Sequence, residues 1–232
     1  MIYLLFLILG LLNLIELTTP IARLSGMRSG ELSSGLQLQS SMSILSRVLN
    51  TFFMPILGYL SDIQGFQLID QKRYILCILI LVTVMASFFL IKNYIFSLYT
   101  SICKSIILEG SIFKFYHYYN FNKLPMFRNK TIYKFRKIRW LTIFAFIPLY
   151  ISWPIIFLLI KEYPENRGFI LGISSLINGI NSLSLVLLID PYLIKMSNYK
   201  SISDMLFKDQ VIIRFFSLLI AVFLLLAVSF FL

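Results

Sequence analysis

Apolar residues fill this chain in long runs that isolated polar groups interrupt at only a few points. Leu141 to Ile160 and Phe169 to Ile189 carry no charge at all, and Leu36 to Leu60 carries one, Arg47. At about 1.5 Å per residue, some twenty residues of helix reach roughly 30 Å, the thickness of a hydrocarbon core. The pattern predicts spans at Ile2 to Thr19, Leu36 to Leu60, Tyr74 to Ile91, Tyr94 to Ile112, Leu141 to Ile160, Phe169 to Ile189 and Val211 to Leu232. The ambiguous one is Tyr94 to Ile112, which contains Lys104 and Glu109 and follows the preceding span after only Lys92 and Asn93. It reads as a hairpin arm, a re-entrant segment or an interfacial helix. The expected fold class is therefore an all-α integral membrane protein, a polytopic bundle of six or seven transmembrane helices. The first run lacks a basic n-region and a small-x-small cleavage site, so it reads as a retained span.

Composition agrees with the pattern. Of 232 residues, 59% are hydrophobic and 13% are charged, against about 25% charged in soluble domains. The net charge of +11 is mostly an orientation signal. Between Gly110 and Arg139 lie eight basic residues and no acid: Lys114, Lys123, Arg128, Lys130, Lys134, Arg136, Lys137 and Arg139. The positive-inside rule makes this loop cytoplasmic. Seven spans then leave the N-terminus inside, six leave it outside, and the segment Asp190 to Gln210 is a cytoplasmic loop either way. The chain divides as one membrane domain over 1–232: N-terminal helices 1–112, a basic cytoplasmic loop 113–139 and C-terminal helices 140–232.

Aromatic residues interleave with the charges of that loop, among them Phe113, Tyr116, Tyr118, Phe121, Tyr133 and Trp140. Such a mixture can bind nucleic acid. Beside a bilayer, the simpler partners are anionic phospholipid headgroups, and no nucleic acid is expected. Cys77 and Cys103 sit inside apolar runs as packing residues, and one histidine, His117, excludes multi-histidine metal chemistry. There is no phosphate-binding Gly-x4-Gly-Lys loop, no His-Glu-x-x-His and no Gly-x-Ser-x-Gly. The acids are scattered, so no enzyme, cofactor or metal is expected.

The polar interruptions carry the functional signal. An arginine near the middle of a span costs about 2.5–3.5 kcal/mol on insertion scales, and such residues usually face a partner or a wet cavity. Ser40, Ser43, Arg47, Asn50, Met54 and Ser61 recur at helical spacing on one face, while Ile44, Leu45, Val48, Leu49, Phe52, Phe53 and Ile56 form the other. Arg47 either pairs with Glu16 to hold two helices together or lines a substrate path. Phe169 to Ile189 has a second polar face of Ser174, Ser175, Asn178, Asn181 and Ser182. Gly172 and Gly179 there allow close approach, and Ser175-x3-Gly179 has the form of a packing interface. Helix glue and a polar cavity are both open readings. Pro148 and Pro154 share one span as hinges or static kinks. Arg23, Arg28 and Arg167 lie near span ends, where guanidinium suits phosphate or simply anchors the helix.

Several short segments occur in a suggestive order. Arg23-Leu24-Ser25-Gly26-Met27-Arg28-Ser29-Gly30 precedes a span containing Ser46-Arg47-Val48-Leu49-Asn50. Tyr163-Pro164-Glu165-Asn166-Arg167, Ser174-Ser175-Leu176-Ile177-Asn178-Gly179-Ile180 and Asp190-Pro191 follow near the other end. This series resembles the Amj family of bacterial membrane proteins, the alternate lipid II flippases. The likeness covers about the first 65 residues and Tyr163 to Asp190, and the middle matches in hydropathy alone.

The resemblance implies transport of lipid II, the undecaprenyl-diphosphate-linked peptidoglycan precursor, from the inner to the outer leaflet of a bacterial plasma membrane for cell wall synthesis. Arg47, Asn50, Asn178 and Asn181 would then line the path of the head. Arg23, Arg28 or Arg167 would hold the diphosphate near a leaflet boundary, and Glu16 is the candidate coupling acid. The other readings are a membrane-embedded enzyme acting on a polyprenyl or phospholipid substrate, and a non-catalytic envelope scaffold.

Overall fold

The computed structural model describes residues 2–63, 71–118, 136–197 and 200–229. Among these the chain is a bundle of helices without strands. In order they are α1 (Ile2–Ser29), α2 (Leu32–Ile63), α3 (Gln71–Glu109), α4 (Arg136–Glu162), α5 (Arg167–Ser184), α6 (Asp190–Ser197) and α7 (Lys200–Ser229). A π-helical segment, Leu185–Ile189, joins α5 to α6 without a break. Five helical stretches are long and apolar enough to cross a membrane: Tyr3–Ser29, Tyr74–Glu109, Arg136–Glu162, Arg167–Met196 and Asp204–Ser229. Helix α2 is longer than most of them at 32 residues, but its serines, glutamines and Arg47 dilute its apolarity.

Two expectations change here. The runs Tyr74 to Ile91 and Tyr94 to Ile112 are one continuous helix, α3, and not two arms of a hairpin. Lys92 and Asn93 contain neither proline nor glycine and cannot break it, and Lys92 lies 5.0 Å from the Phe89 ring instead of marking a boundary. At about 1.5 Å per residue, α3's 39 residues are far longer than a hydrocarbon core. Second, the described residues of Asp190 to Gln210 are not a loop. Asp190–Ser197 and Lys200–Gln210 are helical, because the charges that suggested a loop have partners on other helices. Helix α4 starts at Arg136, inside the expected loop, and runs unbroken through Pro148 and Pro154. Lys123, Arg128, Lys130, Lys134 and the neighbouring aromatics lie outside the described residues.

The chain folds as two packed sets. Helix α1 packs along α2 and α3, while α4 packs along α5 and α7, and α7 also touches α1 and α3. The α1–α2 hairpin is close because glycines face each other across it. A Cβ on Gly26 would overlap the Cα of Gly35, and one on Gly35 would come within 2.7 Å of the Ala22 carbonyl. Gly30, with φ at +109°, makes the turn itself. Hydroxyls secure α1 to α3: Ser25 reaches the Phe96 carbonyl, Ser29 the Thr100 carbonyl, and Thr18 meets the Tyr99 hydroxyl at 3.2 Å. Helix α3 ends at Glu109, which accepts from Tyr118 (2.8 Å) and pairs with Lys114 (3.1 Å). That bond holds the Tyr118 phenol above its ordinary range.

Two apolar clusters fill the bundle. The larger spans α1, α3, α4 and α7, with Leu17, Ile21, Phe96, Phe146, Phe207 and Leu218 fully buried or nearly so. The smaller lies toward the N-terminus of α1 and the C-termini of α2 and α4. It gathers Leu9, Phe53, Trp153, Phe157 and Ile170.

Candidate functional site

Five helical stretches carry a polar side chain at their middle. Glu16, Arg47, Tyr150, Asn181 and Arg214 each lie within about one residue of the midpoint of α1, α2, α4, the continuous run from α5 to α6, and α7. In a bundle of roughly parallel and antiparallel helices such positions share a level. Here three of them, Glu16, Arg47 and Asn181, line one cleft.

The cleft holds about 90 Å³ and is walled by Ser43, Ser46, Arg47 and Asn50 of α2 and by Asn178, Asn181 and Ser182 of α5. Its floor is Leu12, Asn13 and Glu16 of α1 with Leu149 and Trp153 of α4. The spacing of the polar residues explains the arrangement. Ser43, Ser46, Arg47 and Asn50 follow three and four apart, so one stripe of α2 faces α5. Ile44, Leu45, Val48 and Phe52 are exposed on the opposite stripe, as a lipid-facing surface requires. Phe53 departs from that expectation, being fully buried with its ring 4.2 Å from that of Trp153. On α5, Leu176, Ile180 and Leu183 are exposed while Ser174 and Asn181 are buried.

Arg47 and Glu16 share the cleft but do not form the ion pair that would make them a mere clamp. The Glu16 carboxylate accepts from Ser46 Oγ at 2.8 Å. Arg47 has no hydrogen bond or carboxylate partner for its guanidinium among the described residues, and it is exposed within the cleft mouth. Opposite it, Asn181 is buried with its Oδ1 lacking a donor among the described residues. A buried amide oxygen without a partner costs about 1–3 kcal/mol. Polar groups left open at this depth are what a transient polar occupant would satisfy. At about 10–15 Å³ for each water, a 90 Å³ cleft accommodates a handful of waters.

Arg214 is a residue that sequence reading missed. It is buried, donates from Nη1 to the Glu16 carbonyl at 2.7 Å, and stacks 4.1 Å from the centre of the Phe146 ring. Its Nε and the Tyr150 hydroxyl have no hydrogen-bond partner among the described residues. It stands only three positions into the apolar run from Val211, so hydropathy alone gives no sign of its depth in a helix. Since α7 begins at Lys200, Arg214 is in fact at its centre.

The other sequence candidates sit elsewhere. Arg23 donates to Asp190 at 2.6 Å and to Gln39, and Arg28 donates to Asp204 at 3.1 Å. Both therefore bridge α1 to the second set of helices instead of standing free for a phosphate. Arg139 holds Asp209 at 2.7 Å. Arg167 opens α5, following the turn Pro164–Asn166. By chain length along α5, it is about 21 Å from the level of Asn181, so the fold does not bring it to the cleft. Met54 touches Ser174 at 3.7 Å, where α2 meets α5. Ser40 is exposed, and the side chain of Ser61 lies outside the described residues. Cys77 and Cys103 are buried and form no disulfide.

Of the segments behind the resemblance, Ser46–Asn50 and Ser174–Ile180 thus meet at the cleft and Arg23 meets Asp190, while Tyr163–Arg167 reaches neither place. No protein-family model matches the chain, and neither a curated protein nor a solved structure matches it.

Proposed function

We propose that this chain carries the anionic head of a lipid across a bacterial plasma membrane, and that the lipid is lipid II, moved from the inner to the outer leaflet. The observation that supports this reading is the Arg47 guanidinium, unpartnered among the described residues and placed halfway along α2 in a polar cleft beside the orphaned Asn181 oxygen. An arginine kept at such depth without a carboxylate is a cost to the fold, and that cost is accounted for if a diphosphate passes it. Guanidinium binds phosphate oxygens in bidentate fashion, and the amides of Asn50, Asn178 and Asn181 can stand in for water around a sugar or peptide.

In this reading α1, α2, α3, α4, the run from α5 to α6, and α7 make six crossings. The basic segment from Lys114 to Arg139 is cytoplasmic, and both the first and last helices have their far ends outside. Anionic phospholipids cover the basic loop. A head that contains two sugars and a peptide is larger than this cleft, so in this reading the cleft widens for the head to pass. Parting α2 from α5, which belong to different helix sets, opens the cleft sideways while the polyprenyl tail stays in lipid.

The test is flipping by the purified chain in vesicles with headgroup-labelled lipid II and a quencher that cannot cross the bilayer. Wild-type protein should raise the quenched fraction from about half toward completeness, and Arg47→Ala at equal protein should leave it near half. Equal flipping by both would remove Arg47 from the path. No flipping by well-folded wild type would sink the lipid II assignment.

A further inference from the structure

The helix contacts on the two sides of the cleft differ in chemistry. Toward the N-terminus of α1 they are apolar: Phe53, Trp153, Phe157 and Ile170 pack with Leu9 and Leu12. Toward the C-terminus of α1 they are ionic. Arg23 joins Asp190 and Gln39, and Arg28 joins Asp204, so α1 and α2 are bound to α6 and α7.

The Arg23 contact is incompletely satisfied. The side chain is 4% exposed, Nη2 donates to Asp190 Oδ1, Nε donates to Gln39, and Nη1 has no acceptor among the described residues. A guanidinium offers five N–H donors, and one carboxylate oxygen with one amide leaves some unused. A phosphate group presents more acceptor oxygens and could take Nη1 and Nη2 together. The site also connects mechanically to the cleft. Asp190 follows directly on the π-helical segment Leu185–Ile189, and Asn181 lies just before it. A π segment inside a helix marks a place where the hydrogen-bond register is already altered, and such segments recur at functional sites.

We propose that Arg23 is a phosphate-accepting site masked by Asp190, so that the pair is a gate on the basic-loop side of the cleft which a diphosphate group opens by replacing Asp190. This rests on the reading of the cleft as a headgroup path. Arg23 can be neutralised by the carboxylate or by the diphosphate, and mutual repulsion keeps both from occupying it at once. Exchange frees Asp190, which is already 25% exposed, and releases α6 from α1. The π segment passes that release to Asn181 in the cleft wall. The apolar contacts on the other side have no charge to exchange, so an arriving headgroup loosens the basic-loop side first. Loading therefore precedes opening on the far side.

Access to the cleft tests this without requiring transport. Take the full chain with Cys77 and Cys103 changed to alanine and Asn178→Cys as the only thiol. Measure its labelling by a charged, impermeant thiol reagent in vesicles of each orientation. Asp190→Asn should raise the labelling rate from the basic-loop face at least fivefold and leave the opposite face unchanged. Millimolar inorganic diphosphate should accelerate the parent similarly and add little to Asp190→Asn. Vesicles containing a polyprenyl diphosphate form a parallel arm. Acceleration by either form supports the exchange, and the form effective at lower concentration identifies the source. The reversed pair Arg23→Asp with Asp190→Arg should restore slow labelling and abolish the diphosphate response. Unchanged labelling in Asp190→Asn, or an equal rise at both faces, would overturn the gate. Acceleration by Asp190→Asn with no response of the parent to either diphosphate would overturn the exchange. Since labelling does not depend on flipping, failure of the gate and failure of the flippase reading are separately visible.

Discussion

Replacing Arg47 with leucine separates a transport residue from a structural one. The guanidinium is at the middle of α2, and no carboxylate or hydrogen bond holds it among the described residues. Removing it therefore orphans nothing. On insertion scales arginine at a span centre costs about 2.5–3.5 kcal/mol, and leucine there contributes about −0.3 to −0.6 kcal/mol. The full difference is an upper bound, because Arg47 faces an open, wettable cleft and its stem can carry the charge toward water. A stability gain of about 1–3 kcal/mol remains. The assay is reversible unfolding of purified protein in mixed micelles, followed by helical circular dichroism, with transport measured on the same preparations. Arg47→Leu should unfold at a higher denaturant fraction and move no lipid, the exchange of function for stability expected of a residue kept for work. A loss of 2 kcal/mol or more would refute the reasoning, for it would mean that Arg47 holds the helices together after all.

Three further substitutions probe the frame around the cleft. Asp209 is 4% exposed and gripped by Arg139, so Asp209→Leu should cost about 3 kcal/mol in the same unfolding assay; a neutral result would show that the α4–α7 pair is not formed. Gly26→Ala pushes a methyl group into the Gly35 backbone. It should destabilise by about 1–3 kcal/mol, and an unchanged midpoint would contradict the close α1–α2 crossing. The buried Tyr150 hydroxyl has no partner among the described residues, so Tyr150→Phe should be neutral or stabilising by up to about 1–3 kcal/mol. A clear loss of stability would reveal a bond that the structure does not contain.

Much of the cleft was legible in the sequence because polar groups stand out against apolar runs. Arg47, Asn50, Asn178 and Asn181 could be assigned to faces by spacing alone, and Glu16 was the one acid in the first run. What spacing could not give was which faces meet. The Arg47–Glu16 pair, one of the two readings open in the sequence, is absent among the described residues, where Ser46, one residue away, donates to the carboxylate. Arg23 and Arg28 looked like free phosphate ligands because their partners, Asp190 and Asp204, lie more than 160 residues away in sequence. Hydropathy also misplaces helix ends when charges are paired. Lys208, Asp209 and Gln210 read as loop, yet all three are buried inside α7, and that shift hid Arg214 at its centre. The π segment Leu185–Ile189 leaves no trace in composition, since all five residues are apolar.

The central claim is that a lipid-borne anion passes Arg47. It is tested most directly in bacteria depleted of their own lipid II flippase and expressing either this chain or its Arg47→Ala variant at equal membrane levels. The quantity to measure is the share of lipid II that an outer-face cleaving toxin can reach. The account predicts restored cleavage with the wild-type chain and cleavage at the depleted baseline with the variant. Equal cleavage with both proteins, or none with well-inserted wild type, would contradict it.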